Sequence, residues 1–415
     1  NSVRYTAQIR FNTINKKDGG QFQVFDLKKK DVVNKLFLIG NGFDLALGLK
    51  TSYNDFMFWL LKKYLLKSIE NFGRQNAPAG YNQVYNGFKQ RRVVYGYSQN
   101  NLFDILIPEN YVEIEYKIRS LVSLKSTLEL IKQFYVEIHP TFKKGLFDVI
   151  YADCYLGWVD IESKYFDIVK FIINNHNQSN DTINNINTDL ENLIKELEEY
   201  LKEIELEIPE NEASLYFKQF DEPVKTAEVF FDDSHQVKSE EGHLYFLNFN
   251  YTESLQYILK GCGMKFNDYT INHIHGSFHE GSPIVFGFGD EMDADYKKIE
   301  ELNDNRFFKF IKSFKYFSNS NYRNLLRFLN SGYYQVCIYG HSCGLSDRVM
   351  LNEVFEHENC KSIKIYFYED ESGNNDFTTK AMDISRHFNS NKLMREKIVE
   401  YEPENRIPQV KRETK

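Results

Sequence analysis

The amino-acid sequence predicts an α/β fold in which a doubly wound, mostly parallel sheet carries a large helical insertion. Short, continuous apolar runs bounded by polar or glycine-rich loops are typical of strands that are buried on both faces. Leu36–Ile39 is such a run, and strand character recurs at Leu244–Phe249, Ile271–Ile274, Ile284–Phe288, Tyr334–Tyr339 and Ile363–Tyr368. Segments with helical periodicity separate several of them, and strands that alternate with helices indicate a parallel sheet with helices on both sides.

The apolar runs also divide the chain into parts. We expect an N-terminal extension at 1–34, one sheet domain split between 35–60 and 244–400, a mainly helical insertion at 61–243, and a polar tail at 401–415. Helices of the sheet domain are predicted at Thr51–Leu66, Thr252–Lys260, Arg306–Phe317, Asn321–Leu329 and Asp347–Phe355. Those of the insertion are predicted at Ile114–Ile138, Asp160–Ile173 and Leu190–Ile208. The asparagine-dense stretch Asn174–Asn192 is predicted as a solvated loop that runs into a helix.

Composition is that of a globular protein. With 42% hydrophobic residues among 415, the chain has enough apolar material for a sizeable core. The five cysteines are scattered and form no CxxC pair, which argues against a disulfide framework and favours a reducing, cytoplasmic setting. We expect neither a leader nor a membrane span, because residues 1–10 lack an apolar stretch and Phe56–Leu66 is short and broken by two lysines.

A glycine-rich segment follows the first predicted strand. Gly40 and Gly42 flank Asn41, and glycine at these positions lets the backbone turn tightly and lets a phosphate approach amide N–H groups at a helix N-terminus. The segment does not satisfy the GxGxxG dinucleotide-binding pattern, because Leu45 stands where the third glycine would be. A plain strand–turn–helix connection would have a similar sequence, so this motif alone leaves both interpretations open.

Four further polar clusters follow predicted strands, at the edge where open parallel sheets bind ligands. They are Asn248–Thr252, His273–Ser277, Pro283–Asp290 and Gly340–Asp347. His273 and His275 suggest a metal pair, since alternate residues of a strand point the same way. No carboxylate or cysteine follows them at metal-site spacing, and we therefore expect no metal.

The order and spacing of the clusters resemble the NAD-binding domain of the sirtuin family. Gly40, Gly42 and Gly48 fall in register with that family's opening glycine motif, Asn250 with the Asn of its Gln-Asn-Ile-Asp segment, and His275 with its catalytic His-Gly segment. The sequences of these motifs resemble the AbiH family of bacterial abortive-infection proteins still more closely, over about 35–60 and 244–400. The motifs that carry this second resemblance are LFLIGNGFDLALGLKTSYNDF, NFNYT, HIHGS and GHSCGLSD.

The resemblance implies a Rossmann-like, sirtuin-like sheet that binds NAD and an enzyme that cleaves the bond between nicotinamide and ribose. His275 would be the general base, and Asn250 would orient the ribose or the attacking water. Backbone N–H groups of Gly40, Asn41 and Gly42 would bind the pyrophosphate. The other residues of the predicted NAD site are Phe43, Asp44, Gly48, Thr252, Gly340, His341 and Ser342.

The chain also departs from the sirtuin pattern. The zinc module that follows the His-Gly segment in deacetylases is missing, because Pro283 comes soon after Gly276, so we do not expect deacetylation. Thr252 replaces an Asp of the family. Asp44 replaces a Ser, and its carboxylate would repel phosphate unless it faces a ribose hydroxyl or caps the helix, of which we favour the cap. Asp347 is likewise expected to cap the helix that follows it.

Two other functions remain open. A nucleotide sensor that binds NAD or ADP-ribose without turnover is favoured by the replacement at Thr252. A nucleic-acid-directed toxin finds little support, because the net charge is −8 and the basic patches at Lys28–Lys30 and Gln90–Arg92 are short. The expected partners are a dinucleotide, a phage-derived trigger and further copies of the chain, with no membrane. The insertion at 61–243 is the candidate for oligomer contacts, for gating or for sensing.

Overall fold

The computed structural model describes residues 29–71, 94–108, 114–155, 160–175, 180–206, 210–230, 235–238, 242–261, 269–278 and 284–410. Most of the predicted N-terminal extension lies outside these residues. The strands are β1 (Lys29–Val32), β2 (Asn34–Ile39), β3 (Val94–Gln99), β4 (Phe103–Pro108), β5 (Glu137–Pro140), β6 (His235–Lys238), β7 (Leu244–Asn248), β8 (Tyr269–His273), β9 (Tyr334–Tyr339) and β10 (Cys360–Tyr366).

The helices alternate with the strands in the second half of the chain and cluster between β2 and β6 in the first. They are α1 (Asn41–Ala46), α2 (Tyr53–Glu70), α3 (Ile114–Arg119), α4 (Leu124–Gln133), α5 (Leu146–Cys154), α6 (Ile161–Asn174), α7 (Asn180–Lys202), α8 (Glu210–Asp221), α9 (Ser254–Gly261), α10 (Tyr296–Leu302), α11 (Lys312–Lys315), α12 (Asn321–Leu329), α13 (Arg348–Glu356), α14 (Phe377–Ser385) and α15 (Asn391–Lys397). None of the described helices is long and apolar enough to cross a membrane.

The main sheet has five strands in the order β10-β9-β2-β7-β8, and every neighbouring pair is parallel. Its side chains alternate between two cores because successive residues of a strand point to opposite faces. Leu36 and Leu38 pack with α12 and α13 on one face, whereas Phe37 and Ile39 pack with α8 and α9 on the other. The prediction of an α/β fold around a mostly parallel sheet is confirmed.

The predicted strand at Ile284–Phe288 is wrong. This segment is irregular and joins no sheet, and Phe288 forms an isolated bridge with Ile311. Gly287 has a φ of 140°, and a Cβ there would lie 2.0 Å from the Phe310 carbonyl oxygen. The backbone therefore leaves strand geometry to pass close to its neighbour. The long helix predicted at Arg306–Phe317 is also wrong, since that region holds short 3₁₀ turns and the four-residue α11.

Most helices of the predicted insertion share a second core, whereas α8 packs on the main sheet. Helices α2 to α7 surround a three-stranded antiparallel sheet, β3-β4-β5, which the sequence did not predict. The single helix predicted at Ile114–Ile138 is wrong: the segment forms two helices, α3 and α4, and α4 ends at Gln133 before β5 begins at Glu137. The asparagine-dense stretch predicted as a loop that runs into a helix is already helical from Asn180, because its isoleucines lie one helical turn apart and are buried. Residues 286–311 of the second half of the chain join this same core.

Candidate functional site

The loops that follow β2 and β9 interlock at the carboxyl edge of the main sheet. The Gly42 N–H donates to the Gly340 carbonyl at 2.8 Å, and Ile39 bridges Gly340. Gly340 has a φ of 76°, and a Cβ on it would lie 2.2 Å from the Phe43 nitrogen. A Cβ on Gly42 would lie 2.7 Å from the Gly340 oxygen. Glycine is required here because the two backbones touch.

The predicted phosphate-binding segment makes backbone contacts of its own. The Gly40 N–H donates to the Tyr339 carbonyl at 3.3 Å, so the amides of both Gly40 and Gly42 have partners in this structure. The side chain of Asn41 is exposed and exchanges hydrogen bonds with Thr51. Gly48 lies in the turn that ends α1, with a φ of 72°.

Phe43 is a core residue. Its side chain is fully buried, and its ring meets Tyr216 edge-on with the ring centroids 5.6 Å apart. It also meets Tyr339 of β9, with the centroids 5.9 Å apart. The ring therefore fixes α1 against the sheet, whereas Asn41 two residues earlier is at the surface.

Asp44 joins α1 to the start of α9. Its carboxylate accepts hydrogen bonds from the hydroxyls of Thr252, at 2.7 Å, and Ser254. The prediction that Asp44 caps α1 is wrong, since no side chain caps this helix. Burial raises the pKa of Asp44 to about 6, although these hydroxyls and Asn250 hydrogen-bond to the carboxylate and oppose the rise.

Asn250 holds the same loops together. Its side-chain amide donates to the Gly40 carbonyl at 3.1 Å, and its backbone N–H is accepted by the Asn248 side chain at 3.1 Å. Asn250 is 7% exposed. The side-chain amide that was predicted to orient a ribose or water is thus engaged with the β2 loop in this structure.

His275 and Asp347 form a buried pair where β8 and β9 end. The His275 Nε2 donates to Asp347 Oδ1 at 3.1 Å, and both side chains are 7% exposed. Asp347 occupies the position before α13, but its carboxylate makes no capping hydrogen bond, so the prediction of a cap is wrong. The carboxylate instead orients the His275 ring, and the tautomer that donates from Nε2 to Asp347 carries its lone pair on Nδ1.

Lys312 binds the same carboxylate oxygen. Its Nζ lies 2.9 Å from Asp347 Oδ1 and 3.1 Å from Glu162 Oε1, and its side chain is completely buried. Burial alone would lower the pKa of Lys312, but the two carboxylates raise it above its ordinary value. Burial alone would raise the pKa of Asp347, but Lys312 and His275 hold it well below its usual range. The cation and the Asp347 anion therefore stabilise each other in the interior.

Glu162 comes from the insertion. It lies in the first turn of α6, and its carboxylate also accepts the Gly287 N–H at 3.1 Å. Burial raises the pKa of Glu162, and Lys312 opposes the rise. Neither Glu162 nor Lys312 was singled out from the sequence. Both lie outside the glycine-rich and histidine motifs, and no local pattern marks them.

The remaining polar residues of the β9 loop differ in their exposure. His341 is 5% exposed, its Nδ1 accepts the Cys343 N–H at 3.0 Å, and its Nε2 lies 3.8 Å from Asp347 Oδ2. Burial lowers the pKa of His341 to about 3, although Asp347 opposes this, so the ring is neutral at pH 7. Ser342 is exposed. The structure therefore brings His341 to the His275–Asp347 pair and leaves Ser342 at the surface.

Aromatic rings enclose the pair. Phe249 meets the His275 ring edge-on with the centroids 5.1 Å apart, and the Tyr251 ring is 6.3 Å away. The Tyr316 hydroxyl is buried without a hydrogen-bond partner among the described residues. His273 takes no part in this cluster, because its ring contacts the side chains of Asn248 and Gln256. In the described part of the chain, no three His, Cys, Asp or Glu side chains are arranged to hold a metal ion.

These features define an α/β protein that carries a buried histidine–aspartate–lysine cluster at the carboxyl edge of a parallel sheet. Residues 36–369 match the model of the family described as Bacteriophage abortive infection AbiH. The match covers well over half of the chain, so the protein belongs to the AbiH family. That membership confirms one of the two resemblances and gives the protein a role in abortive infection against bacteriophage. A comparison with curated proteins found no match.

Proposed function

We propose that the protein binds NAD⁺ through a Rossmann-like, sirtuin-like sheet and, on activation during phage infection, cleaves the bond between nicotinamide and ribose. The observation that carries this proposal is the His275–Asp347 pair at the carboxyl edge of the main sheet, 3.1 Å apart and buried. An oriented imidazole with one free lone pair is the group that a hydrolytic reaction needs as its base.

The topology of the sheet supports a dinucleotide ligand. Numbered along the chain within the sheet, its strands follow the order 3-2-1-4-5, and the direction of winding reverses between β2 and β9. In doubly wound sheets a dinucleotide binds outside the carboxyl ends of the strands at this reversal point. The interlocked loops after β2 and β9 lie at this point, and His275 and Asp347 lie beside them. Gly40, Asn41, Gly42, Gly48, Thr252, Gly340 and Ser342 remain the predicted contacts with NAD.

His275 and Asp347 support a simple hydrolytic reaction. Nicotinamide leaves as a neutral molecule while positive charge develops on the ribose. The Nδ1 of His275 takes a proton from the attacking water or from a ribose hydroxyl, and Asp347 stabilises the imidazolium that results. The neutral ring of His341 and the aromatic rings around the pair exclude water that would compete for the charged groups. The products are nicotinamide and ADP-ribose.

Release of nicotinamide from NAD⁺ by the purified full chain tests the proposal. We expect the wild-type protein, supplied with lysate of phage-infected cells as the trigger, to release nicotinamide, and His275→Ala to abolish the release. His273→Gln is the matched control because His273 lies two residues away and its ring contacts Asn248 and Gln256 instead of the His275–Asp347 pair. An equal loss of nicotinamide release in His275→Ala and His273→Gln would contradict the assignment of His275 as the base. Release by His275→Ala at the wild-type rate would also contradict it.

A sensor that binds a nucleotide without cleaving it is the second candidate. The closed state of the cluster favours it, since His275 is 6% exposed and the Asn250 amide is engaged with Gly40. Isothermal titration with NAD⁺, ADP-ribose and ATP separates the two candidates. Binding of NAD⁺ that leaves no nicotinamide in solution, with the trigger present, would support the sensor over the enzyme.

A further inference from the structure

The cluster around His275 joins the sheet domain to the helical insertion. Lys312 lies between two carboxylates, Asp347 at 2.9 Å and Glu162 at 3.1 Å, and Asp347 in turn accepts from His275. Glu162 is the contribution of the insertion. The connected series of groups therefore runs from α6 through Lys312 to the imidazole, and each step is a direct contact.

Packing keeps Glu162 in this position. One turn along α6, the Phe166 ring stacks on Phe288 with the centroids 4.0 Å apart, and the Tyr165 ring meets Phe310 edge-on at 5.5 Å. Phe288 and Phe310 belong to the segment that leads into Lys312, whose backbone N–H donates to the Phe288 carbonyl at 2.9 Å. The same contacts that dock α6 thus set the distance between Glu162 and Lys312.

The balance of charge around His275 follows from these positions. When the imidazole is neutral, the cluster holds one cation, Lys312, and two carboxylates, Asp347 and Glu162. A proton on His275 would therefore bring the net charge of the cluster to zero. Removing the cation should favour that proton, and removing the Glu162 carboxylate should disfavour it. The titratable and charged groups that face His275 from the elements around it are Asp347, Lys312, Glu162, His341 and Tyr251, with Lys380 behind His341.

We infer that Lys312 and Glu162 are positioning residues that together set the proton occupancy of His275. Lys312 offsets the negative charge of Asp347 that would otherwise attract a proton to the imidazole, and Glu162 limits this effect from α6. A displacement of α6 relative to the sheet changes the charge at the site. The inference deepens the proposed function and rests on it for its catalytic meaning, but not for the protonation itself.

The test is a titration of His275 by NMR in full-length protein labelled with ¹³C,¹⁵N-histidine, assigned by comparison with His275→Gln. In Lys312→Met the pKa of His275 should rise by about one unit or more, and in Glu162→Gln it should fall by at least about half a unit. Lys309→Met and Glu191→Gln are matched controls, since this pair is 2.8 Å apart and both side chains are more than 40% exposed. Neither control should shift the titration.

Glu162→Gln decides the matter if Lys312→Met does not fold, because it leaves Lys312 paired with Asp347. The double variant Lys312→Met/Glu162→Gln removes one charge of each sign and should return the pKa to within about half a unit of wild type. An unchanged pKa in Glu162→Gln, or a fall in Lys312→Met, would overturn the inference.

A kinetic measurement separates this inference from the proposed function. The acidic limb of the pH profile for nicotinamide release should move with the NMR titration, to higher pH in Lys312→Met and to lower pH in Glu162→Gln. If no variant releases nicotinamide under any condition, the proposed function fails while the NMR titration still decides the role of Lys312 and Glu162.

Discussion

Replacing Asp44 by asparagine should stabilise the protein at neutral pH. Asp44 is 1% exposed, and its pKa rises from 3.8 to about 6 because burial disfavours the charged form. A group whose pKa is higher in the folded state stabilises the fold below its unfolded pKa, and this contribution is lost as the pH rises through the folded pKa. The rise of about 2 units in the pKa of Asp44 corresponds to a loss of about 3 kcal/mol in the free energy of unfolding between pH 4 and pH 6. Asparagine carries no charge at any of these pH values.

The side chains around Asp44 can accept the change. The Thr252 and Ser254 hydroxyls lie 3.1 Å apart and can each act as donor or acceptor, so an amide finds partners for both its oxygen and its nitrogen. Part of the 3 kcal/mol is offset by loss of the hydrogen bonds to a charged acceptor. We therefore expect Asp44→Asn to gain about 1 to 3 kcal/mol at pH 7.5 and nothing at pH 4.

Urea denaturation followed by circular dichroism, at several pH values between 4 and 8, measures this difference. Comparison of the variant with wild type cancels the contribution of Asp189, whose pKa burial raises to about 7. Asp167→Asn is the control, because the Asp167 side chain is 58% exposed and pairs with Lys170 at the surface. A variant that is less stable than wild type at pH 7.5, or a difference that is constant across the pH range, would refute the reasoning.

Three further substitutions test other parts of the structure. Gly340→Ala should lower the free energy of unfolding by about 2 kcal/mol or more in thermal unfolding, because its Cβ would meet backbone at 2.2 Å. Gly373→Ala, with a φ of 83° and nothing within 4 Å, should lower it by about 1 kcal/mol. Equal losses would contradict the close approach of the two loops. Asp347→Asn should slow nicotinamide release about 10²- to 10⁴-fold, and a rate within twofold of wild type would remove Asp347 from the proposed mechanism. Phe166→Ala should lower the free energy of unfolding by about 3 to 5 kcal/mol in urea denaturation. Phe171→Ala, on the same helix but 58% exposed, should lower it little. A similar loss in both variants would show that stacking of Phe166 on Phe288 does not hold α6 in place.

Much of the sheet could be predicted from the sequence. The runs at Leu36–Ile39 and Tyr334–Tyr339 form neighbouring parallel strands, because a strand buried on both faces must be apolar along its whole length. The run at Ile284–Phe288 is also largely apolar but forms no strand, since Val285 is buried in the core of the main sheet while Phe286 and Phe288 are buried in the second core. Local composition reports burial. It does not report which element provides that burial.

Less of the site could be predicted. His275 and Asp347 were each singled out, but nothing in their sequence surroundings showed that they contact each other over a separation of 72 residues. Asp44 was predicted to cap a helix and instead joins α1 to α9. A cap is made within one helical turn, so a short-range pattern can suggest one, as it did here for Asp44. They give no information about partners that the fold brings from distant segments.

The sequence by itself determined which side chains are polar at the carboxyl ends of the strands and where glycine allows two loops to touch. These properties depend on residue type and on distance along the chain, and both can be read from the sequence. Only the tertiary structure decided that Glu162 and Lys312 meet beside His275. That contact requires α6 of the insertion to dock on the 286–311 segment, and the docking is determined by packing between aromatic rings that lie more than 100 residues apart.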